Sequence, residues 1–138
     1  MANEIRFTGS IVTTATNFSE TISPGQISID LPSGPDLTSE SGVQATTTAT
    51  DGANLTVGNL TSSKDGGIYF FRNLGTTTGD NIEIGATLGG GFEAFMMLKP
   101  GEYAMGRLPS LYPAANALKV RSVANTPSLQ YKIYAGDL

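Results

Sequence analysis

Leu129-Gln130-Tyr131-Lys132-Ile133-Tyr134 alternates one apolar or aromatic side chain with one that suits water. Successive side chains of a β-strand point to opposite faces, so this pattern describes a strand with one face in a core. The same period recurs upstream. Leu118 and Val120 alternate with Lys119 and Arg121, Ile82 and Ile84 flank Glu83, and Ile27, Ile29 and Leu31 alternate with Ser28 and Asp30. Ile68-Tyr69-Phe70-Phe71 reads as an aromatic strand, Ile5 to Thr14 as a first strand, and Phe18 to Ile22 as a second. Ser23-Pro24-Gly25 and Asp51-Gly52 read as turns, and Gly89-Gly90-Gly91 as a bulge or hairpin tip. Lys99-Pro100-Gly101-Glu102 has type II turn chemistry: Pro fixes φ at the second position and Gly supplies φ > 0 at the third. Tyr103 to Leu108 is then expected to return antiparallel to Phe92–Leu98. Ala114 to Ala117 has room for one helical turn at most. Roughly eight to ten short strands at these spacings predict an all-β chain folded as an antiparallel two-sheet β-sandwich. A jelly-roll-like arrangement is the first expectation and an immunoglobulin-like sandwich the alternative, in one domain over 1–138.

Composition narrows the function. The chain has 138 residues, of which 39% are hydrophobic and 14% charged, against about 25% charged in an average domain. Much of its polar surface must therefore be Thr, Ser, Asn and Gly, which suits packing against other protein. The formal net charge is −4, and the eight basic residues are scattered except for the Lys119/Arg121 alternation. Nucleic acid and anionic membranes draw on clustered cations, so neither is an expected partner. The absence of cysteine removes disulfides and thiolate chemistry. Met1 to Arg6 lacks the apolar stretch of a signal peptide. Phe92 to Leu98, the most apolar window, is far shorter than the ~20 residues a spanning helix needs.

Without histidine or cysteine there is no Ser-His-Asp or Cys-His triad and no nitrogen- or sulfur-ligated zinc. Carboxylate chemistry remains, with Glu83, Glu93 and Glu102 as the candidates. Glu83 and Glu93 alternate with apolar neighbours, as the wet face of an amphipathic strand does, and no catalytic residue is expected. Asp80-Asn81 and Asp51 with Asn54 could offer oxygen ligands to calcium, but they lack the alternating acidic spacing of a calcium loop and read as polar turns. No metal or cofactor is expected. The Asn-x-Ser/Thr triplets at Asn17, Asn54 and Asn59 are what a chain this rich in Ser and Thr carries by chance.

Two segments are candidates for partner binding. Leu111 and Tyr112 lie between Pro109 and Pro113 in a loop, where an apolar pair either meets another chain or caps the sandwich. The stretch from Val43 to Thr50, with Thr46 and Thr48, is β-branched but too polar for a central strand. It is either an exposed edge or a strand that pairs with a neighbouring subunit.

The order of motifs in residues 67–138 resembles small structural proteins of tailed bacteriophages, capsid decoration or cement proteins among them. The resemblance runs through Tyr69-Phe70-Phe71-Arg72-Asn73-Leu74, Ile82-Glu83-Ile84-Gly85, Leu98-Lys99-Pro100-Gly101-Glu102, Arg107-Leu108 and the closing strand Leu129 to Tyr134. It implies a place in the virion, on the capsid surface, with the major capsid protein as partner and homo-oligomeric, often trimeric, assembly. It brings no catalytic residues. Such a module would bridge capsid subunits and stabilise the shell. A tail or fibre component and a carbohydrate-binding β-sandwich are the alternatives, the latter with Tyr69, Tyr103 and Tyr112 as its rings.

Overall fold

The computed structural model describes residues 4–15, 18–30, 38–57, 68–108 and 118–135. Two compact units divide the chain, Met1–Ser33 and Gly34–Leu138. In the first, β1 (Glu4–Ala15) and β2 (Phe18–Asp30) pair antiparallel as a two-stranded sheet. The turn expected at Ser23-Pro24-Gly25 is not one. β2 runs through it, with Gly9 opposite Gly25 and Ile11 opposite Ile22. Proline has no N–H to give a ladder, and a bulge absorbs it without ending the strand.

Among its described residues the second unit has eight strands: β3 (Thr38–Ala45), β4 (Ala53–Asn54), β5 (Ile68–Asn73), β6 (Ile82–Leu88), β7 (Gly91–Leu98), β8 (Tyr103–Arg107), β9 (Leu118–Ser122) and β10 (Ser128–Ala135). They form two four-stranded antiparallel sheets, ordered β3-β10-β5-β8 and β4-β9-β6-β7. This is a β-sandwich, with no helix among the described residues. Pairing is nested about Gly89-Gly90: β6 with β7, then β5 with β8, β4 with β9 and β3 with β10. Gly89 and Gly90 both take positive φ, 59° and 92°, as a two-residue hairpin with the right twist requires.

The core forms where the inward rows of both sheets meet. Phe71, Leu129, Tyr131 and Ile133 come from one sheet, and Ile82, Ile84, Leu98, Leu118 and Val120 from the other. Each fully buried side chain of this kind contributes roughly 1.5–3 kcal/mol. Two tyrosines fill space left by glycine on the edge strands. Tyr131 is paired with Gly42 and Tyr69 with Gly106, and a Cβ on either glycine would lie 2.7–2.8 Å from the opposing hydroxyl. The Tyr131 hydroxyl donates to the carbonyl of Thr56, and burial followed by the Glu40 carboxylate pushes its phenol above the ordinary range.

The turn at Lys99–Glu102 has the expected chemistry, with Gly101 at φ 77° and Glu102 N–H donating to Lys99 O at 3.0 Å. Its strands, however, do not pair with each other. β7 lies in one sheet and β8 in the other, where β8 pairs with β5. Asn73, at the end of β5, holds this crossing. Its N–H donates to Glu102 O at 2.9 Å, its carbonyl accepts from Gly101 N–H at 3.2 Å, and its amide donates to Leu98 O at 2.9 Å.

Candidate functional site

Glu83, Glu102 and Asp80 are committed to local partners. Arg121, opposite Glu83 in the ladder, donates through Nε to Glu83 Oε2 at 2.6 Å. The same guanidinium lies 4.5 Å from the centre of the Phe92 ring and donates to Thr50 O at 2.8 Å. Glu102 Oε2 accepts from Lys99 N–H at 2.8 Å, and Glu93 is exposed on β7. Asp80 closes its loop: Oδ2 accepts from the N–H groups of Thr77 at 3.0 Å and Thr76 at 3.2 Å, and Oδ1 accepts from Asn125 Nδ2 at 2.7 Å. The Thr77 N–H, then the Asn125 amide, hold its carboxyl below the ordinary value. Charge-assisted bonds of this kind favour the ionised form.

The sequence-based contact residues fare differently from one another. Leu111 and Tyr112 lie outside the described residues. Thr46 is buried at 5% exposure, its N–H and hydroxyl both donating to Pro127 O at 2.9 and 2.8 Å. Thr48 is exposed. The strand expected to run to Thr50 stops at Ala45. Beyond it the backbone crosses toward the second sheet, where Thr47 O accepts from Ser122 N–H at 2.8 Å. Of the three rings proposed for a sugar, Tyr112 lies outside the described residues, Tyr103 is 61% exposed, and Tyr69 packs against the core with its phenol raised by burial.

A broader surface emerges from the register of β3-β10-β5-β8. Three ladder rows cross its outward face. Val43, Gln130, Arg72 and Tyr103 form the first; Ser41, Lys132, Phe70 and Met105 the second; Ser39, Tyr134 and Arg107 the third, in which Ile68 is itself buried at 4% exposure. The rows carry three of the chain's eight basic residues and none of its twelve acidic ones. Apolar and aromatic groups stand between the cations. Phe70 and Tyr103 stack with centroids 6.2 Å apart, Lys132 Nζ lies 5.0 Å from the centre of the Tyr134 ring, and Val43 is 60% exposed. Single-strand alternation predicts each row member's strand but not its neighbours. Arg72, Arg107 and Lys132 meet on one face only because β5 lies between β8 and β10.

Such a face is suited to another protein: its rings and aliphatic stems offer apolar area, and its cations offer complementarity to carboxylates. Compared with known protein-family models, curated proteins and solved structures, the chain matches none.

Proposed function

We propose that this chain is a non-enzymatic virion protein, a capsid decoration or cement protein of a tailed bacteriophage, which binds the major capsid protein shell through the outward face of β3-β10-β5-β8. The observation that carries the reading is the positive, aromatic-studded face on a chain whose net charge is negative. It gives a docking surface without a reactive centre.

The fold belongs to the same proposal. Four nested strand pairs, with successive pairs falling in alternate sheets, support a jelly roll over the immunoglobulin-like alternative. The motifs that carry the phage resemblance have structural work in this chain. Asn73 of the Arg-Asn-Leu segment holds the Leu98–Glu102 turn, and Gly85 sits where β7 bulges. They support a shared architecture, and the docking face draws Phe70, Arg72, Arg107, Gln130, Lys132 and Tyr134 from the same segments.

Many weakly bound copies strengthen a shell because each attached copy that bridges two subunits makes its second contact intramolecular. Salt is expected to weaken the attachment, since screening shortens the reach of exposed charges to about 8 Å under physiological conditions. The test is to add the purified chain to empty shells lacking it, locate it by electron microscopy, and compare the temperature at which bare and decorated shells break. Copies at symmetric junctions and a higher breaking temperature are expected. A chain left in the supernatant, or found on tails, contradicts the proposal.

A further inference from the structure

The strand cations of the two sheets are engaged to different degrees. On β9 both are tied down: Arg121 to Glu83, Thr50 O and the Phe92 ring, and Lys119 through Nζ to Asp51 O at 3.2 Å. In the β3-β10-β5-β8 sheet, Lys132 Nζ donates to Ser39 Oγ at 3.1 Å and lies over the Tyr134 ring. Arg72 and Arg107 are exposed, and among the described residues neither has an acidic partner. Their surroundings differ. Arg107 ends β8 opposite Ile68, which is buried. Arg72 stands in the most open row of the face, where Val43 is 60% and Tyr103 61% exposed. Tyr103 is its partner across the β5–β8 ladder and stacks on Phe70. The Arg72 position therefore has an aromatic neighbour on one side, and Gln130 and then Val43 on the other.

We infer that this row anchors the face, and that its ligand is a carboxylate side chain set between apolar ones on an exposed segment of the partner protein. The inference deepens the docking role proposed above and rests on it for the source of that segment. A guanidinium presents five N–H donors in a planar fork, which fits a carboxylate two bonds at a time. Adjacent strands lie about 4.8 Å apart. A partner carboxylate on Arg72 thus has an apolar neighbour about one strand spacing away over Tyr103, and another about two spacings the other way over Val43. Apolar groups on both sides keep water from the ion pair. That is how an arginine and a tyrosine come to dominate a contact whose rim contributes little. A phosphate polymer fits less well. It needs cations in succession along its backbone, whereas the other members of this row are Val43, Gln130 and Tyr103, and the chain's net charge of −4 repels it.

The test compares Arg72→Gln with Arg107→Gln. Both remove the same charge from the same face at exposed positions, so a difference between them reports contact rather than long-range attraction. Circular dichroism checks that each variant is folded. A synthetic peptide alternating Glu with Leu is titrated into each full-length protein and followed by NMR shifts of backbone amides and arginine Nε–H groups, beside hexametaphosphate and a Lys/Leu peptide. The Glu/Leu peptide should shift Val43, Arg72 and Tyr103 most, and the Lys/Leu peptide should leave them unmoved. Arg72→Gln should weaken the Glu/Leu peptide by about tenfold or more, and Arg107→Gln by about fivefold at most. Arg72→Lys keeps the charge without the fork and should lose most of what Arg72→Gln loses. Equal losses in the two Gln variants, shifts centred elsewhere, or tighter binding of hexametaphosphate overturns the inference. Co-sedimentation of the same proteins with empty shells separates it from the reading it rests on. Wild type that takes the Glu/Leu peptide at this row but leaves shells unbound contradicts the decoration role alone. Wild type that binds shells no better than Arg72→Gln, or two Gln variants that bind shells alike, overturns the inference alone.

Discussion

Asn73 and Leu98 lie 25 residues apart and in different sheets, yet the Asn73 amide donates to the Leu98 carbonyl at 2.9 Å from a site with no solvent exposure. The same amide also donates to the carbonyl of Asp80, while its oxygen accepts from Gly75 N–H at 2.8 Å. One side chain therefore joins the end of β5, the end of β7 and the 74–81 loop.

Removing that amide leaves buried acceptors unpaired. Each such group costs about 1–3 kcal/mol, so Asn73→Ala should destabilise the chain by about 3 kcal/mol or more. Asn73→Asp should be no better, because it places a carboxylate against carbonyl oxygens. Urea unfolding followed by circular dichroism measures both, and a midpoint within error of wild type would remove the clamp from the account.

Asp80 makes stability depend on acid. Its folded carboxyl titrates below its unfolded value, so its contribution is present above the unfolded pKa of about 4 and lost as pH falls through the folded one. Wild-type stability should drop below about pH 4, and Asp80→Asn should show a shallower drop over that window. Asn125→Ala removes one of the bonds that hold the carboxyl down, so the Asp80 pKa read by NMR titration should rise toward the ordinary value.

Gly85 is fixed by crowding. A Cβ there would sit 2.1 Å from the Glu93 carbonyl oxygen, opposite the bulge in β7. Gly85→Ala must shift backbone and is expected to cost about 3 kcal/mol or to prevent folding. Gly91→Ala meets nothing within 4 Å and should stay within about 0.5 kcal/mol of wild type. Equal melting temperatures for the two variants would refute this reading of the bulge.

The Glu83–Arg121 pair is partly exposed, at 18% and 26% of the side-chain surface. A double-mutant cycle with Glu83→Gln and Arg121→Met should return a coupling below about 1 kcal/mol that shrinks in high salt. Arg121→Ala should cost somewhat more than that coupling, because the contact with the Phe92 ring and the bond to Thr50 are lost as well.

Alternation in the sequence reveals most of the second unit's strands. Leu118 to Arg121, Ile82 to Ile84 and Leu129 to Tyr134 read correctly because period-two burial is a local property. Turn chemistry at Pro100-Gly101 read correctly for the same reason. Pairing across the fold did not, and a type II turn says nothing about which sheet its strands join. The polar stretch at Val43 to Thr50 hid a change of role at Thr46, which turns inward to Pro127 where a strand was expected to continue. Asn73 gave no sign of its burial, since asparagine after a strand looks like any loop residue. The candidate face was the least readable part. Each of its cations sits alone in the sequence, and only the β8-β5-β10 order brings them together.

The most direct test of the proposed function is the affinity of the folded chain for capsid shells before and after charge reversal on that face. Co-sedimentation titrations of wild type and Arg72→Glu/Lys132→Glu, at low and high salt, supply it. The account predicts tight wild-type binding that weakens with salt, and at least a tenfold loss in the variant, as expected when complementary charge becomes like charge. Equal binding by the two proteins, or binding indifferent to salt, would contradict it.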